Sequence, residues 1–98
     1  NNTDNFTKQY YTAAQAFSTA YSEAAAQLKQ TPVPSSLAEY HLQLINSYLS
    51  SSAAMSAVAK TEDDSVTGFA GLVALNQNLD REDALILKIS EILTARGL

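Results

Sequence analysis

Apolar side chains recur at intervals of three and four residues along most of the chain, which is the spacing of one face of an α-helix. The first such stripe consists of Phe6, Tyr10, Ala13, Phe17, Tyr21, Ala24 and Leu28. The pattern predicts a helix over residues 5–30 that is capped by Asp4 or Asn5. We expect the stripe to face the core, with Tyr11 lying off it.

A second helix is predicted over residues 36–60, after a break at Pro32 and Pro34. Ser36 and Glu39 have the spacing of a capping box at its start. Two apolar stripes lie side by side on this helix: Leu37, Leu44, Tyr48 and Met55 form one, and Leu42, Ile45 and Leu49 form the other. Two adjacent stripes indicate contact with two neighbouring helices. The small residues at positions 50–57 predict a close crossing.

The last third of the chain carries two apolar faces that a straight helix would rotate apart by roughly 90° or more. The first face is Val66, Phe69, Leu72, Val73, Leu75 and Leu79, and the second is Leu85, Ile86, Ile89, Ile92 and Leu93. The stretch between them, residues 76–83, is mostly polar. We therefore predict a break near residues 78–80, with helices over residues 65–78 and 81–96. One long kinked helix is the alternative.

Local signals mark the start of the third helix. Asp63, Asp64 or Ser65 is expected to cap it. Gly68 and Gly71 follow inside the helical pattern, where each costs roughly 0.8–1 kcal/mol relative to Ala. We expect these two glycines to relieve crowding where the helix crosses a neighbour.

These patterns predict an all-α fold. No stretch of the sequence alternates with the period of two that is typical of a strand. The length of 98 residues suits one small domain. We predict a small antiparallel bundle of three to four helices that occupies residues 1–98 as a single domain.

Charge and hydropathy narrow the range of partners. Six basic and ten acidic residues give a net charge of −4, and the basic ones are scattered, so we expect no nucleic-acid partner. The longest apolar run, residues 68–75, is far shorter than the roughly 20 residues of a membrane span. We expect no span within this chain. Because the chain begins at Asn1 rather than at Met, any export signal or membrane anchor is expected upstream.

The sequence offers little for catalysis or metal binding. Cysteine is absent, and the single histidine, His41, has no further ligand at helical spacing. We expect His41 to be partly buried and bonded to a neighbour. Residues 76–82 alternate like the start of a calcium loop, but Arg81 and Leu87 stand where Gly and Glu are required. No catalytic, cofactor-binding or metal-binding residue is predicted, and we expect no enzyme.

Four side chains are predicted as a possible interaction surface. Tyr11 and Tyr40 are expected to point outward or to a seam between helices, and tyrosine is favoured at interfaces. Leu42 and Leu49 belong to the second stripe of the second helix. A protein partner or a second copy of this chain is expected to contact them.

One segment resembles a known group of domains. It comprises Pro32-Val33-Pro34-Ser35-Ser36-Leu37, His41-Leu42 and Leu44-Ile45-Asn46, with the later acidic turn Asp63-Asp64-Ser65. This segment is similar to uncharacterised helical domains in envelope-associated proteins of uncultured, candidate-phylum bacteria. The resemblance implies an exported or membrane-anchored protein whose soluble part faces outward, and it implies no activity.

The sequence thus favours a non-catalytic helical structural or interaction module, extracytoplasmic or envelope-associated, that acts through contacts of its helix faces. The alternative is a bundle that binds a small apolar ligand in a pocket lined by Phe17, Tyr21, Tyr48 and Met55. A metal protein or enzyme that combines His41 with distant carboxylates is the least supported hypothesis.

Overall fold

Three α-helices and one short turn make up the structure, a computed structural model that describes the backbone of residues 2–97 and the side chains of residues 8–97. Helix α1 spans Asn2–Gln30, α2 spans Ala38–Ala59 and α3 spans Ser65–Ala95. A 3-10 turn, Ser35–Leu37, precedes α2. The described residues contain no strand, so the all-α prediction is confirmed. The caps predicted at Asp4 and Asn5, and the side chain of Phe6, lie outside the described side chains.

Helix α2 is the central element. It packs against α1 on one side and α3 on another, whereas α1 and α3 hardly touch each other. Successive helices run antiparallel. Along α1, Ser18 meets Ser52 and Tyr21 meets Tyr48 of α2. Along α3, Gly71 lies beside Ala57 and Asn78 beside Ser47 of α2. The result is an elongated molecule of 55 × 22 × 20 Å with an open cleft between α1 and α3.

The buried positions hold small and polar side chains. The buried apolar residues are Ala14, Ala25, Leu37, Ile45, Ala54 and Val58, and the buried polar residues are Ser18, Ser47, Ser51, Asn78 and Glu82. Many large apolar side chains instead stay in contact with solvent: Tyr10, Phe17, Leu42, Leu49, Val66, Phe69, Leu72, Val73, Ile86 and Leu87. Where several such side chains lie together, they are typical of a binding face.

Close approach of α2 and α3 explains the small residues. A Cβ atom built on Gly71 would lie 2.7 Å from the Cβ of Ala57 and 2.8 Å from the carbonyl oxygen of Ala54. At Gly68 an added Cβ would overlap the side chain of Thr61. The predicted close crossing and the role of Gly71 in it are therefore confirmed, whereas Gly68 makes room for Thr61 in the turn after α2.

The break predicted near residues 78–80 is absent, because α3 continues from Ser65 to Ala95. The polar stretch there is not a solvated turn. The side-chain nitrogen Nδ2 of Asn78 donates to the carbonyl oxygen of Ser47 at 2.8 Å and to Oγ of Ser51 at 2.5 Å. Polar residues that are satisfied by α2 therefore allow the helix to continue where the sequence pattern predicted an end.

The predicted orientation of α1 is confirmed in its second half, where Tyr21, Ala24 and Leu28 are half-buried, and is wrong by about one residue in its first half. The side chains of α1 that are buried or half-buried are Tyr11, Ala14, Ser18, Tyr21, Ala24, Ala25 and Leu28. Tyr10 and Phe17, predicted as core, are 49% and 57% exposed. Ser18 explains the choice of face: its Oγ donates to the carbonyl oxygen of Ser52, and Oγ of Ser52 donates back to the carbonyl oxygen of Ser18, both at 2.7 Å.

The helix ends agree only in part with the prediction. Asp64 caps α3 as expected, since its carboxylate accepts from the backbone nitrogen of Thr67 at 3.1 Å and from its hydroxyl at 2.7 Å. The capping box at Ser36 and Glu39 does not form. The chain passes instead through the 3-10 turn, and α2 begins without a side-chain cap. Glu39 accepts from the side chain of Gln43 at 3.4 Å.

Candidate functional site

The candidate site is the open cleft between α1 and α3, with α2 as its floor. Helix α1 contributes Tyr10 and Phe17, which lie on the flank of the face that packs on α2. Helix α3 contributes Phe69, which is 68% exposed, and Leu72, which is 42% exposed. Met55 of α2 and Leu75 of α3 lie deeper in the same cleft. We call these six residues the aromatic groove.

The groove consists of adjoining clefts. A cleft of about 390 Å³ lies at the end near the α2–α3 turn and includes Tyr10, Phe69 and Leu72. The next, of about 180 Å³, shares Tyr10 and Leu72 with it and adds Phe17 and Met55. A third cleft, of about 250 Å³, adjoins the groove at Phe17 and lies between α1 and α2, where Tyr21 and Tyr48 line it. Among the described residues that line these three clefts, none is charged.

A tyrosine pair closes the far end of the third cleft. The rings of Tyr21 and Tyr48 meet edge to face, with their centroids 5.6 Å apart. Burial, followed by the charge of the nearby Glu82, raises the pKa of both hydroxyls. Both tyrosines therefore stay neutral at physiological pH and offer hydroxyl groups beside an otherwise apolar surface.

Glu82 is a buried carboxylate beneath this end of the groove. Its exposed fraction is 6%, and Oγ of Ser47 donates to Oε1 of Glu82 at 3.4 Å, a long hydrogen bond. Burial raises the pKa of Glu82, the Ser47 hydrogen bond opposes this, and the charge of Asp83 adds to it. Burial of this group was not predicted, because Glu82 was expected near the polar start of a separate helix over residues 81–96.

The four residues predicted as an interaction surface do not form one patch. Tyr11 is half-buried and lines a cleft with Ala59 at the end of α2. Tyr40 is half-buried in the first turn of α2, roughly 30 Å away along the bundle. Leu42 and Leu49 are exposed and stand two turns apart. Their role as contacts stays a prediction.

Leu42 and Leu49 also face away from the aromatic groove. At 100° per residue they lie about 160–180° around α2 from Ser51, which is fully buried. The four residues of the predicted ligand pocket, Phe17, Tyr21, Tyr48 and Met55, line two adjoining clefts rather than one pocket. Phe17, Tyr21 and Tyr48 line one cleft, and Met55 joins Phe17 in the next.

His41 does not make the predicted bond to a neighbour. Its side chain is half-buried, and Nε2 is buried without a hydrogen-bond partner among the described residues. Among all the residues that the structure describes, no three His, Cys, Asp or Glu side chains are grouped so that they could hold a metal ion.

A second, polar cleft of about 460 Å³ lies between α2 and α3 on a different side of α2. Its polar lining includes Gln43, Asn46, Ser50, Arg81 and Lys88. The two basic side chains are two turns apart on α3 and stand in open solvent, so this cleft lacks the enclosure of a built binding site.

Comparisons with known proteins give no information about the function of this chain. No family model matches the chain, and no significantly similar protein was found among curated sequences or solved structures. The resemblance to envelope-associated helical domains therefore stays a prediction. No helix in the described part of the chain is long and apolar enough to cross a membrane.

Proposed function

We propose that this protein is a non-catalytic helical interaction module that packs its aromatic groove against helices of a protein partner. The observation that carries the proposal is the groove itself, in which Tyr10, Phe17, Phe69 and Leu72 are all more than 40% exposed along one uncharged surface. Large apolar side chains on an open helical groove are what an amphipathic helix of a partner recognises.

The shape of the groove favours a helix over a small molecule. Small-molecule pockets hold roughly 300–1,000 Å³ and enclose most of the ligand. Here the apolar surface is divided among shallow clefts, and it follows α1 and α3 for about two turns. Aromatic side chains at the centre of an apolar surface are also the usual hot spots of protein interfaces.

A dye that binds exposed apolar surface tests the proposal. We expect anilinonaphthalene sulfonate to fluoresce with dilute protein, and the signal to fall several-fold in Phe17→Ser. Leu42→Ser is the matched control, because Leu42 and Phe17 are both 57% exposed, and it should keep the signal. Light scattering on the same samples reports whether the groove is covered by association. A monomer whose dye binding is independent of Phe17 contradicts the proposal.

A second candidate function is the binding of a small apolar ligand. The cleft between Phe17, Tyr21 and Tyr48 supports it, because two rings meet edge to face there and leave about 250 Å³ beside them. Indole, a flat apolar probe, should then raise the melting temperature. The rise should be lost in Tyr48→Ser and kept in Tyr40→Ser. Equal behaviour of the two variants, or no rise at all, removes this candidate.

A further inference from the structure

We propose that the occupant of the aromatic groove is the α1 helix of a second copy of this chain, in a two-fold symmetric dimer with the two α1 helices antiparallel. The inference rests on the proposed function and names the partner. In this arrangement each α1 lies between α1 and α3 of the other copy. The two α1 helices and the two α3 helices then form a four-helix layer, with one α2 outside on each side.

The first argument is the area left open. Tyr10, Phe17 and Phe69 are 49%, 57% and 68% exposed, and an aromatic side chain presents roughly 200 Å², so these rings alone leave about 350 Å² uncovered. Leu72, which is 42% exposed, and the exposed Ala13 and Ala20 extend this to roughly 500 Å², within the range of the largest patch on a monomer. A stable interface needs about 800 Å² per partner, including its polar rim.

The second argument is the pattern of large and small residues on α1. The flank that faces the groove repeats at intervals of three and four residues and consists of Tyr10, Ala13, Phe17, Ala20 and Ala24. A two-fold axis at Phe17 places Tyr10 of one copy opposite Ala24 of the other, so each Tyr10 ring meets a small side chain, and the two Phe17 rings meet at the axis. A parallel pair would stack Tyr10 on Tyr10 and leave Ala24 facing Ala24, which packs poorly.

The third argument is the matching position of α3. Phe69 and Leu72 lie level with Tyr10, since the three side chains line one cleft. In the antiparallel arrangement the second copy therefore presents Ala20 and Ala24 to them. Phe69 and Leu72 would fill the space that these alanines leave.

The fourth argument is charge. The chain carries a net charge of −4, so most pairings of two copies would bring carboxylates together. The described residues that line the groove carry no charge. Contact of groove with groove is therefore a self-association that avoids like-charge repulsion at its centre.

Sedimentation equilibrium tests the dimer. We expect the wild-type chain to have twice the 10.5 kDa mass of one chain and Phe17→Glu to associate at least tenfold more weakly. Leu42→Glu introduces the same charge at a position with the same 57% exposure and should remain a dimer. Circular dichroism should show equal helix content in all three proteins, because both positions are open to solvent.

Cysteine cross-linking tests the antiparallel register. Because the chain has no cysteine, an introduced cysteine is the only residue that can form a disulfide. Phe17→Cys, at the two-fold axis, should form a disulfide-linked dimer under mild oxidation. Tyr10→Cys and Ala24→Cys should each fail alone and cross-link when mixed. Efficient cross-linking of Tyr10→Cys alone would overturn the antiparallel arrangement.

The outcomes separate this inference from the proposed function. If the chain is monomeric at all concentrations but binds the dye through Phe17, the dimer proposal is wrong and the proposed interaction groove stands. A monomer without Phe17-dependent dye binding overturns both. A dimer that Leu42→Glu dissociates and Phe17→Glu does not places the interface on the other side of α2 and overturns both for this groove.

Discussion

At the scale of single residues, Glu82 couples the stability of the fold to pH. It is buried between α2 and α3, and burial raises its pKa above the ordinary value of 4.5. The folded protein therefore holds this proton to a higher pH than the unfolded chain does. The stabilisation from the protonated form is fully present below pH 4.5, and it is lost as the pH rises through the folded-state pKa of Glu82.

Glu82→Gln should remove this pH dependence. The neutral amide avoids the burial of a charge, so we expect the variant to be more stable than wild type at pH 7 by about 1 kcal/mol. Urea unfolding from pH 4 to pH 8 should show the difference growing with pH and then levelling off. The exposed Glu91→Gln serves as the control and should stay within about 0.5 kcal/mol of wild type. A difference between Glu82→Gln and wild type that is constant across this range contradicts the assignment.

At the scale of the elements, a polar contact fixes the register of α2 and α3. Asn78 donates to the carbonyl oxygen of Ser47 and to the hydroxyl of Ser51, and Ser51 has no exposed surface. A buried polar group without its partner costs about 1–3 kcal/mol. The loss of one side chain here therefore leaves a second group unsatisfied on the facing helix.

Asn78→Ala should lower the free energy of unfolding by about 2–3 kcal/mol, from the lost hydrogen bonds and the small cavity. Asn76→Ala is the matched control. Asn76 is exposed on the same helix, so its replacement should change stability by less than about 0.5 kcal/mol. Chemical denaturation of the two variants measures the contrast. Equal effects would mean that residues 76–78 are a solvated turn.

The same elements show what the sequence could and could not predict. The break at Pro32 and Pro34, the cap at Asp64 and the crowding at Gly71 follow from local backbone chemistry and were predictable. The orientation of the first half of α1 was not, because periodicity assumes that the largest apolar side chains are buried. The hydrogen bonds between Ser18 and Ser52 instead hold the neighbouring face of α1 against α2. Phe17 is therefore left in the groove.

The continuity of α3 escaped prediction for a related reason. The polar stretch over residues 76–83 predicted a break near residues 78–80, because polar residues were expected to face solvent. Asn78 and Glu82 are instead buried against α2. The serines at positions 47 and 51 were the available signal, since small hydroxyl residues at the interface of a helix can satisfy polar residues on its neighbour.

Gly71→Ala tests whether packing or helix propensity dominates at the α2–α3 crossing. Propensity alone predicts a gain of about 1 kcal/mol from alanine. The added Cβ would lie 2.7 Å from the Cβ of Ala57, so we expect a net loss of about 1–3 kcal/mol from overpacking. Ala70→Gly, at an exposed position next to it, should also lose about 1 kcal/mol. Thermal unfolding that shows opposite signs for the two variants would mean that the helices can move apart freely.

At the scale of the whole molecule, the small core makes burial of the groove important for stability. The largest buried apolar side chains are Leu37, Ile45 and Val58, while the rings of Tyr10, Phe17 and Phe69 stay open. A chain of about 100 residues is marginally stable even with a full core. Covering the groove would therefore add apolar burial that the isolated chain lacks.

This dependence predicts that melting depends on protein concentration. If two copies unfold together, each tenfold increase in concentration stabilises the dimer by about 1.4 kcal/mol, so the melting temperature of the wild type should rise with concentration. Phe17→Glu should melt at one temperature throughout, because its groove no longer pairs. Differential scanning calorimetry over a hundredfold range of concentration makes the comparison, with Leu42→Glu expected to follow the wild type. An unchanged wild-type melting temperature over that range would mean that the groove is not covered by a second copy.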